Sequence, residues 1–350
     1  MHDFHQRQII PGKLYDITDR TIDGGTWFVP ALRSVIVDAI SRAQKVSKVK
    51  LYGYVVMSNH YHALASADGP REMAKFLELF HAEVGRHVNR FHARQGRLWA
   101  KRASVVRVSD EPAAQVARLR YILSNSVKEL AAAHPADWTG PHVAHAFETG
   151  RPEGQGDAVV AIGGLENEIE GLCQRAPSDN QHGIAISQLP HLAQLSADEY
   201  FSDMRHLMSA VANAPTDRDA GIEANLLDGA SKRAAPCAPP SSRPGWEPRK
   251  IVMDMSPPVT FPRRPRPGRG LRGPFVFASD KEVRTALIDA RKAFLAKYVA
   301  ASEAYREGRR GAPHFPWHSF APVAPWLVGD AKQPGLFEPA VDAGAVVAST

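Results

Sequence analysis

Only two cysteines occur in the 350 residues, Cys173 and Cys237. They are too few for a disulfide framework and too far apart for a cysteine zinc site. No run of about 18 apolar residues is present, which excludes a transmembrane helix. The opening Met1-His2-Asp3-Phe4-His5 lacks a basic-then-apolar pattern, so secretion is not expected and a reduced, cytoplasmic setting is. The sequence has no internal repeat. Its length suits two domains, or one domain with a long appendage.

What the chain does have is unevenly spread charge. Its 43 Lys+Arg against 37 Asp+Glu leave a net +6. Residues 1–150 hold 20 basic and 14 acidic side chains, 151–235 hold 6 and 13, 236–275 hold 8 and 2, and the last 75 hold 9 and 8. Two basic blocks therefore flank an acidic one. Such blocks suit contact with a polyanion, but a basic surface does not by itself specify nucleic acid.

Periodicity is firmest before residue 150. Lys13 to Thr18 alternates as a half-buried strand and meets a turn at Asp23-Gly24-Gly25. Leu32, Val35, Ile36, Ala39, Ile40 and Ala43 recur at helical spacing. Val49–Met57 and His60–Ser66 read as two strands, and Gly69-Pro70 opens a helix with Met73, Phe76, Leu77, Phe80, Val84, Val88 and Phe91 on one face. Ser104–Val108 is a short strand. A last helix is predicted from Glu111 to about Leu130, with Asp110 as its N-cap and Pro112 in its first turn. The order β-α-β-β-α-β-α predicts an α+β, ferredoxin-like domain, an antiparallel sheet with helices packed on it. Residues 151–235 read as an acidic, partly helical region (Glu166 to Gln174, Ala197 to Ala212). Residues 236–275 read as a basic Pro/Arg-rich linker, and 276–350 as a helix over Asp280 to Arg306 plus a Pro/Ala-rich tail.

Two elements carry candidate chemistry. In Met57-Ser58-Asn59-His60-Tyr61-His62, strand alternation puts His60 and His62 on one face and turns Tyr61 to the other. Two neutral imidazoles side by side can share a divalent cation. With 15 histidines in the chain, an isolated His-x-His more often has no metal. On the last helix, Val116, Leu119, Leu123, Val127 and Leu130 gather within roughly 80° as a buried stripe. Tyr121 and Asn125 stand about 40° apart on the other side, flanked by Arg118 and Lys128. Alone, that pattern is an ordinary amphipathic helix.

Together the two elements resemble the single-tyrosine transposases of the HUH endonuclease superfamily, most closely the REP-associated tyrosine transposases, also described as transposase IS200-like. The resemblance spans residues 8–148. It rests on Pro11-Gly12-Lys13-Leu14-Tyr15, Tyr54-Val55-Val56-Met57-Ser58-Asn59-His60-Tyr61-His62, Val88-Asn89-Arg90, Gly96-Arg97-Leu98-Trp99-Ala100-Lys101-Arg102 and Arg120-Tyr121-Ile122-Leu123-Ser124-Asn125, in the family's order and spacing. Ser58 and Ser126 stand where the family has Pro, and Lys128 to Ala131 lacks its usual Gly. Nothing after about residue 150 matches.

The resemblance implies cleavage of single-stranded DNA beside a hairpin, through a 5′-phosphotyrosine intermediate that a second 3′-hydroxyl resolves. It makes Tyr121 the nucleophile and His60, His62 and Asn125 the ligands of Mg²⁺ or Mn²⁺. Arg118 and Lys128 are expected to favour the phenolate. It also gives the first basic block a partner: Arg90, Arg94, Arg97, Lys101, Arg102, Arg118 and Lys128 for phosphates and Trp99 for base stacking. His81, His87 and His92 are read as surface or core residues, because their spacing does not converge. Two rival readings are a catalytically silent nucleic-acid binder on the same fold and a metal-dependent hydrolase using the histidine pair. Monomer and homodimer are both left open.

Overall fold

The alternation near the start of the chain forms β1 (Tyr15–Arg20), two residues later than its periodicity predicts. In the computed structural model, residues 7–129, 131–150, 183–213 and 276–307, with Phe315, Pro316 and Ser319, are described. The expected helix at 166–174, the linker at 236–275 and most of the tail lie outside the described residues.

After β1 come α1 (Arg33–Ser47), β2 (Lys50–Val56), β3 (His60–Ser66), α2 (Pro70–Phe91), β4 (Ser104–Val108) and α3 (Pro112–Lys128). The predicted β-α-β-β-α-β-α order is therefore observed. Helix α1 ends where Lys48 adopts a left-handed conformation (φ 59°) and returns its N–H to Gln44. Helix α2 begins at Pro70, where the fixed φ of proline suits a first turn. The sheet order is β2-β3-β1-β4-β5, and its first four strands pair antiparallel, as a ferredoxin-like domain requires. In register, Thr18 lies opposite His62 and Arg20 opposite His60.

Helices α1 and α2 pack against each other and cover one face, where Tyr61 meets Phe80 edge-on. Helix α3 crosses the opposite face. It comes down on Gly53, where a Cβ would sit 2.5 Å from Leu119 Cδ1, so any larger residue would have to displace that leucine. The start of α3 differs from expectation. Glu111, not Asp110, occupies the cap position, and Asp110 instead pairs with Lys13 Nζ at 2.7 Å. Leu130, expected to end the helix, lies outside the described residues.

The later segments divide between the sheet's own core and a small second cluster of Tyr298, Ala301 and Phe315. Helix α4 (Val143–Thr149) and α5 (Ala197–Ala212) pack together, and α5 also packs along α3. Tyr200, Met204, Met208 and Val211 of α5 join the same buried cluster as the sheet. That second partner explains why α3 is buried from Ile122 through Val127 rather than along one stripe. Later chain lies beside both outer strands of the four-stranded antiparallel part of the sheet, β2 and β4. Ile186 bridges to Leu51 beside β2, and β5 (Val276–Phe277) runs parallel to β4. Helix α6 (Lys281–Arg306) follows, with Phe294, Tyr298 and Ala301 buried and Phe315 against Tyr298. None of the helices among the described residues is long and apolar enough to cross a membrane.

Candidate active site

The α3-facing side of β1 and β3 gathers Asp16, Thr18, Arg20, His60 and His62. The two imidazoles stand edge to face with centroids 5.4 Å apart. Each is anchored at Nδ1. His60 Nδ1 lies 2.7 Å from Asn59 Oδ1, while Asn59 Nδ2 donates to Gly24 O at 3.1 Å. The Asn59 oxygen can only accept, so His60 carries its proton on Nδ1. Thr18 Oγ1 lies 2.8 Å from His62 Nδ1 and 3.4 Å from Asp16 Oδ2; with the hydroxyl turned to the carboxylate, its oxygen accepts from the Nδ1–H tautomer of His62, the assignment adopted for this ring. Both Nε2 atoms are thereby left with their lone pairs. Burial pushes both imidazoles down to about 3, His60 further opposed by His62 and His62 by Arg118, so both are neutral at pH 7.

Tyr121 reaches this pair from α3, its ring 5.1 Å from that of His62. The Arg118 guanidinium lies 4.3 Å and the Lys128 ammonium 4.6 Å from the Tyr121 ring centroid. Arg118 acts in the expected direction, favouring the phenolate, but it does not set the net shift. Burial dominates and raises the Tyr121 hydroxyl above its ordinary 10, with Arg118 offsetting only part of it. Asp16 is buried beside Arg118, whose Nη2 is 3.0 Å from Asp16 Oδ1, and burial raises this carboxyl despite the pair. Asn125, one turn after Tyr121, donates Nδ2 to the carbonyls of Tyr121 and Ile122 at 2.8 and 3.3 Å. Only its Oδ1 is left for a ligand role.

The remaining basic candidates divide. Arg97, Lys101 and Arg102 are exposed on a segment that runs beside the end of β1, where Ala100 N donates to Arg20 O and Ile22 N to Leu98 O. Lys101 acts on Asp19 and Arg102 on Arg7, groups of the α1/α2 side, whereas Arg20 is the cation that acts on His60. Arg90 is exposed on the last turn of α2. Arg94 is held by Asn89 Oδ1, by Arg97 O at 3.1 Å and by the Trp27 ring at 4.6 Å, so it shapes the turn after α2. Trp99, the expected stacking platform, is partly buried. Its ring stacks on His81 at 4.3 Å, meets Phe28, Tyr61 and Phe80, and donates Nε1 to His81 O, all on the α1/α2 side. Of the three helix histidines, His81 is turned into this core, His87 sits by Glu83, and His92 bonds Trp27 O at 2.9 Å.

Asp16, Thr18, Arg20 and Asn59 are site residues that sequence reasoning missed. A signal exists in β1, where Asp16, Thr18 and Arg20 alternate with Tyr15, Ile17 and Asp19. It acquires meaning only through the register that sets Thr18 against His62.

The donor set suits a divalent cation. Two neutral imidazoles present Nε2, each held through Nδ1 by an oriented acceptor, the arrangement by which proteins aim metal-bound histidines. No group of three or more His, Cys, Asp or Glu able to hold a metal occurs among the described residues.

No protein-family model and no curated protein matches the chain. Among solved structures it is similar to a REP-associated tyrosine transposase bound to a REP hairpin, at 15% identity over 43% of this chain and 86% of that one, with a TM-score of 0.35. It is also similar to a Deinococcus radiodurans R1 protein described as a transposase, at 16% identity over 34% of this chain and 91% of that one, with a TM-score of 0.25.

Proposed function

We propose that the chain is a metal-dependent enzyme of the single-tyrosine transposase type that nicks and rejoins single-stranded or hairpin DNA. One observation carries this reading: the Tyr121 ring packs on His62 beside two imidazoles whose Nε2 atoms are the free donors. His60 and His62 hold the cation in this reading, with Asn125 Oδ1 as the third protein ligand. Bound there, Mg²⁺ or Mn²⁺ would neutralise phosphate charge and favour the phenolate.

The chain's own groups account for the rest. The Tyr121 oxygen attacks phosphorus, its proton passing to water, and forms an O–P bond as the bond to the 3′-oxygen breaks. The departing 3′-oxygen takes up a proton. A second strand's 3′-hydroxyl reverses the exchange and releases the phenol. One diester replaces another at each step, so no ATP is consumed. Arg118 and Lys128 flank the ring where the phosphate arrives, and Arg20, Arg97, Lys101 and Arg102 supply counter-charge along the strand.

The test uses hairpin oligonucleotides labelled at either end, incubated with protein and Mg²⁺ or Mn²⁺ and resolved on a denaturing gel. A covalent adduct that Tyr121→Phe abolishes is the expected result. Cleavage that survives Tyr121→Phe establishes instead a hydrolase built on the histidine pair, and binding without cleavage a silent nucleic-acid binder.

A further inference from the structure

Arg118 is touched by a part of the chain far from it in sequence. Its guanidinium carbon lies 3.8 Å from the Phe277 ring centroid and 4.3 Å from that of Tyr121, while Nη2 reaches Asp16. The side chain is only 12% exposed, and its Nε–H has no hydrogen-bond partner among the described residues. An unsatisfied buried donor beside the candidate nucleophile is costly to keep unless a ligand oxygen uses it.

Phe277 is itself brought in by two attachments. It pairs in β5 with Val108, and its carbonyl accepts from Ser109 N at 2.8 Å. Immediately after it, Ser279 N and Asp280 N donate to the Glu111 carboxylate at 3.1 and 2.9 Å, gripping the start of the helix that carries both Arg118 and Tyr121. Ser109 Oγ donates to the same carboxylate. These partners are 168 and 169 positions apart in sequence, and they converge on one helix end.

We propose that Phe277 is a positioning residue: it holds the Arg118 guanidinium against Tyr121, with Nε–H directed to a phosphate oxygen, so that the segment after residue 275 completes the site. The assignment rests on Tyr121 acting as nucleophile. Asp16 alone could draw the long arginine side chain down into the sheet. An aromatic face stacked on the guanidinium restricts that freedom without consuming its donors, which an acidic or amide neighbour would do.

The full-length protein tests this through Phe277→Ala, Phe277→Leu and Phe277→Tyr. Two readouts are taken together: the single-turnover rate of adduct formation on a hairpin oligonucleotide, and the ¹⁵N–¹H resonance of Arg118 Nε, identified by its loss in Arg118→Lys. Alanine and leucine are expected to slow adduct formation roughly 10- to 100-fold and to shift the Arg118 resonance, with tyrosine restoring both. Leucine keeps apolar packing but has no aromatic face. Full rescue by leucine, or an unchanged rate and resonance in Phe277→Ala, overturns the proposal. If the wild-type protein forms no adduct yet Phe277→Ala still moves the Arg118 resonance, the positioning contact stands and the nucleophile assignment falls.

Discussion

The two faces of the sheet are built from the same side chains and come to opposite ends. Toward α3 stand Asp16, His62, Tyr121 and Arg118. Toward α1 and α2 stand Asp19, Tyr61 and His81, with Arg7 close enough to act on their charges. On the second face Tyr61 Oη and His81 Nε2 are 2.8 Å apart, Trp99 covers the imidazole, and Tyr61 is 2% exposed. Its hydroxyl is pushed far above the usual tyrosine range by burial, with Asp19 adding to it. On the first face the histidines spend Nδ1 on fixed acceptors and keep Nε2, and Tyr121 is only half-buried. Composition does not separate a site from a core here. Which imidazole nitrogen is already engaged, and whether the phenol meets solvent, does.

Exchanging the two tyrosines is the sharpest way to break that comparison. Tyr121→Phe should abolish the covalent DNA adduct. Tyr61→Phe should retain it and cost about 1–3 kcal/mol of stability, because His81 Nε2 loses its buried partner. Chemical denaturation and the denaturing gel read the two effects separately. Adduct formation by Tyr121→Phe, or its loss in a folded Tyr61→Phe, reverses the assignment of faces.

Core truncations come next in size. Phe80→Ala on the closed face should cost about 3–5 kcal/mol and Leu119→Ala on the open face about 2–5 kcal/mol, both from urea titrations. Only the second is expected to slow adduct formation under conditions where both proteins are folded. Leu119 sits on Gly53 directly over the sheet, one residue from Arg118 and two from Tyr121. Equal slowing by Phe80→Ala would show that the faces are mechanically one.

Local pattern made much of this legible. The helical stripes of α1 and α2, the strand pair around Ser58-Asn59 and the same-face placement of His60 and His62 follow from spacing alone, because periods of 3.6 and 2 are local properties. The burial of Tyr61 follows from the same alternation. What was not legible depends on register and on distant chain. Asp16 and Thr18 gain their role from the β1–β3 alignment. Trp99 was expected to stack on DNA, and nothing in its motif announces that His81, 18 positions earlier, ties it to the α1/α2 side. Phe277 arrives at Arg118 through a parallel pairing with β4 that no motif near residue 277 announces. The helix at Ala197–Ala212 is legible from its own pattern, but nothing in that pattern says that it packs along α3.

Thr18→Val tests the open face without touching a proposed ligand. The substitution removes the hydroxyl that accepts His62 Nδ1–H and bonds Asp16, while keeping nearly the same shape. Mn²⁺ affinity, followed by calorimetry on the DNA-free protein, should weaken about 10- to 100-fold, the usual cost of losing an outer partner of a metal-bound histidine. His60, held by Asn59, serves as the internal control. Unchanged affinity would mean that the Nδ1 anchors do not set the donors.

The smallest effect concerns acid. His142, fully buried at the start of α4, accepts from Ala144 N at 2.9 Å through Nδ1, and burial lowers its pKa to about 3. His81 on the closed face is lowered to about 3 for the same reason. The unfolded chain binds these protons near pH 6.5, well before the folded one does. Their stabilisation is therefore complete above about 6.5 and is lost as pH falls toward 3, by up to about 1.4 kcal/mol per pH unit for each group. Between pH 7 and 5 the thermal midpoint should drop by several degrees. In His142→Asn, which keeps a capping acceptor but cannot titrate, the slope should flatten by about half of the part these two histidines contribute. A slope unchanged in His142→Asn would mean that the imidazole takes up its proton without opening α4, and would locate the acid sensitivity on the sheet faces alone.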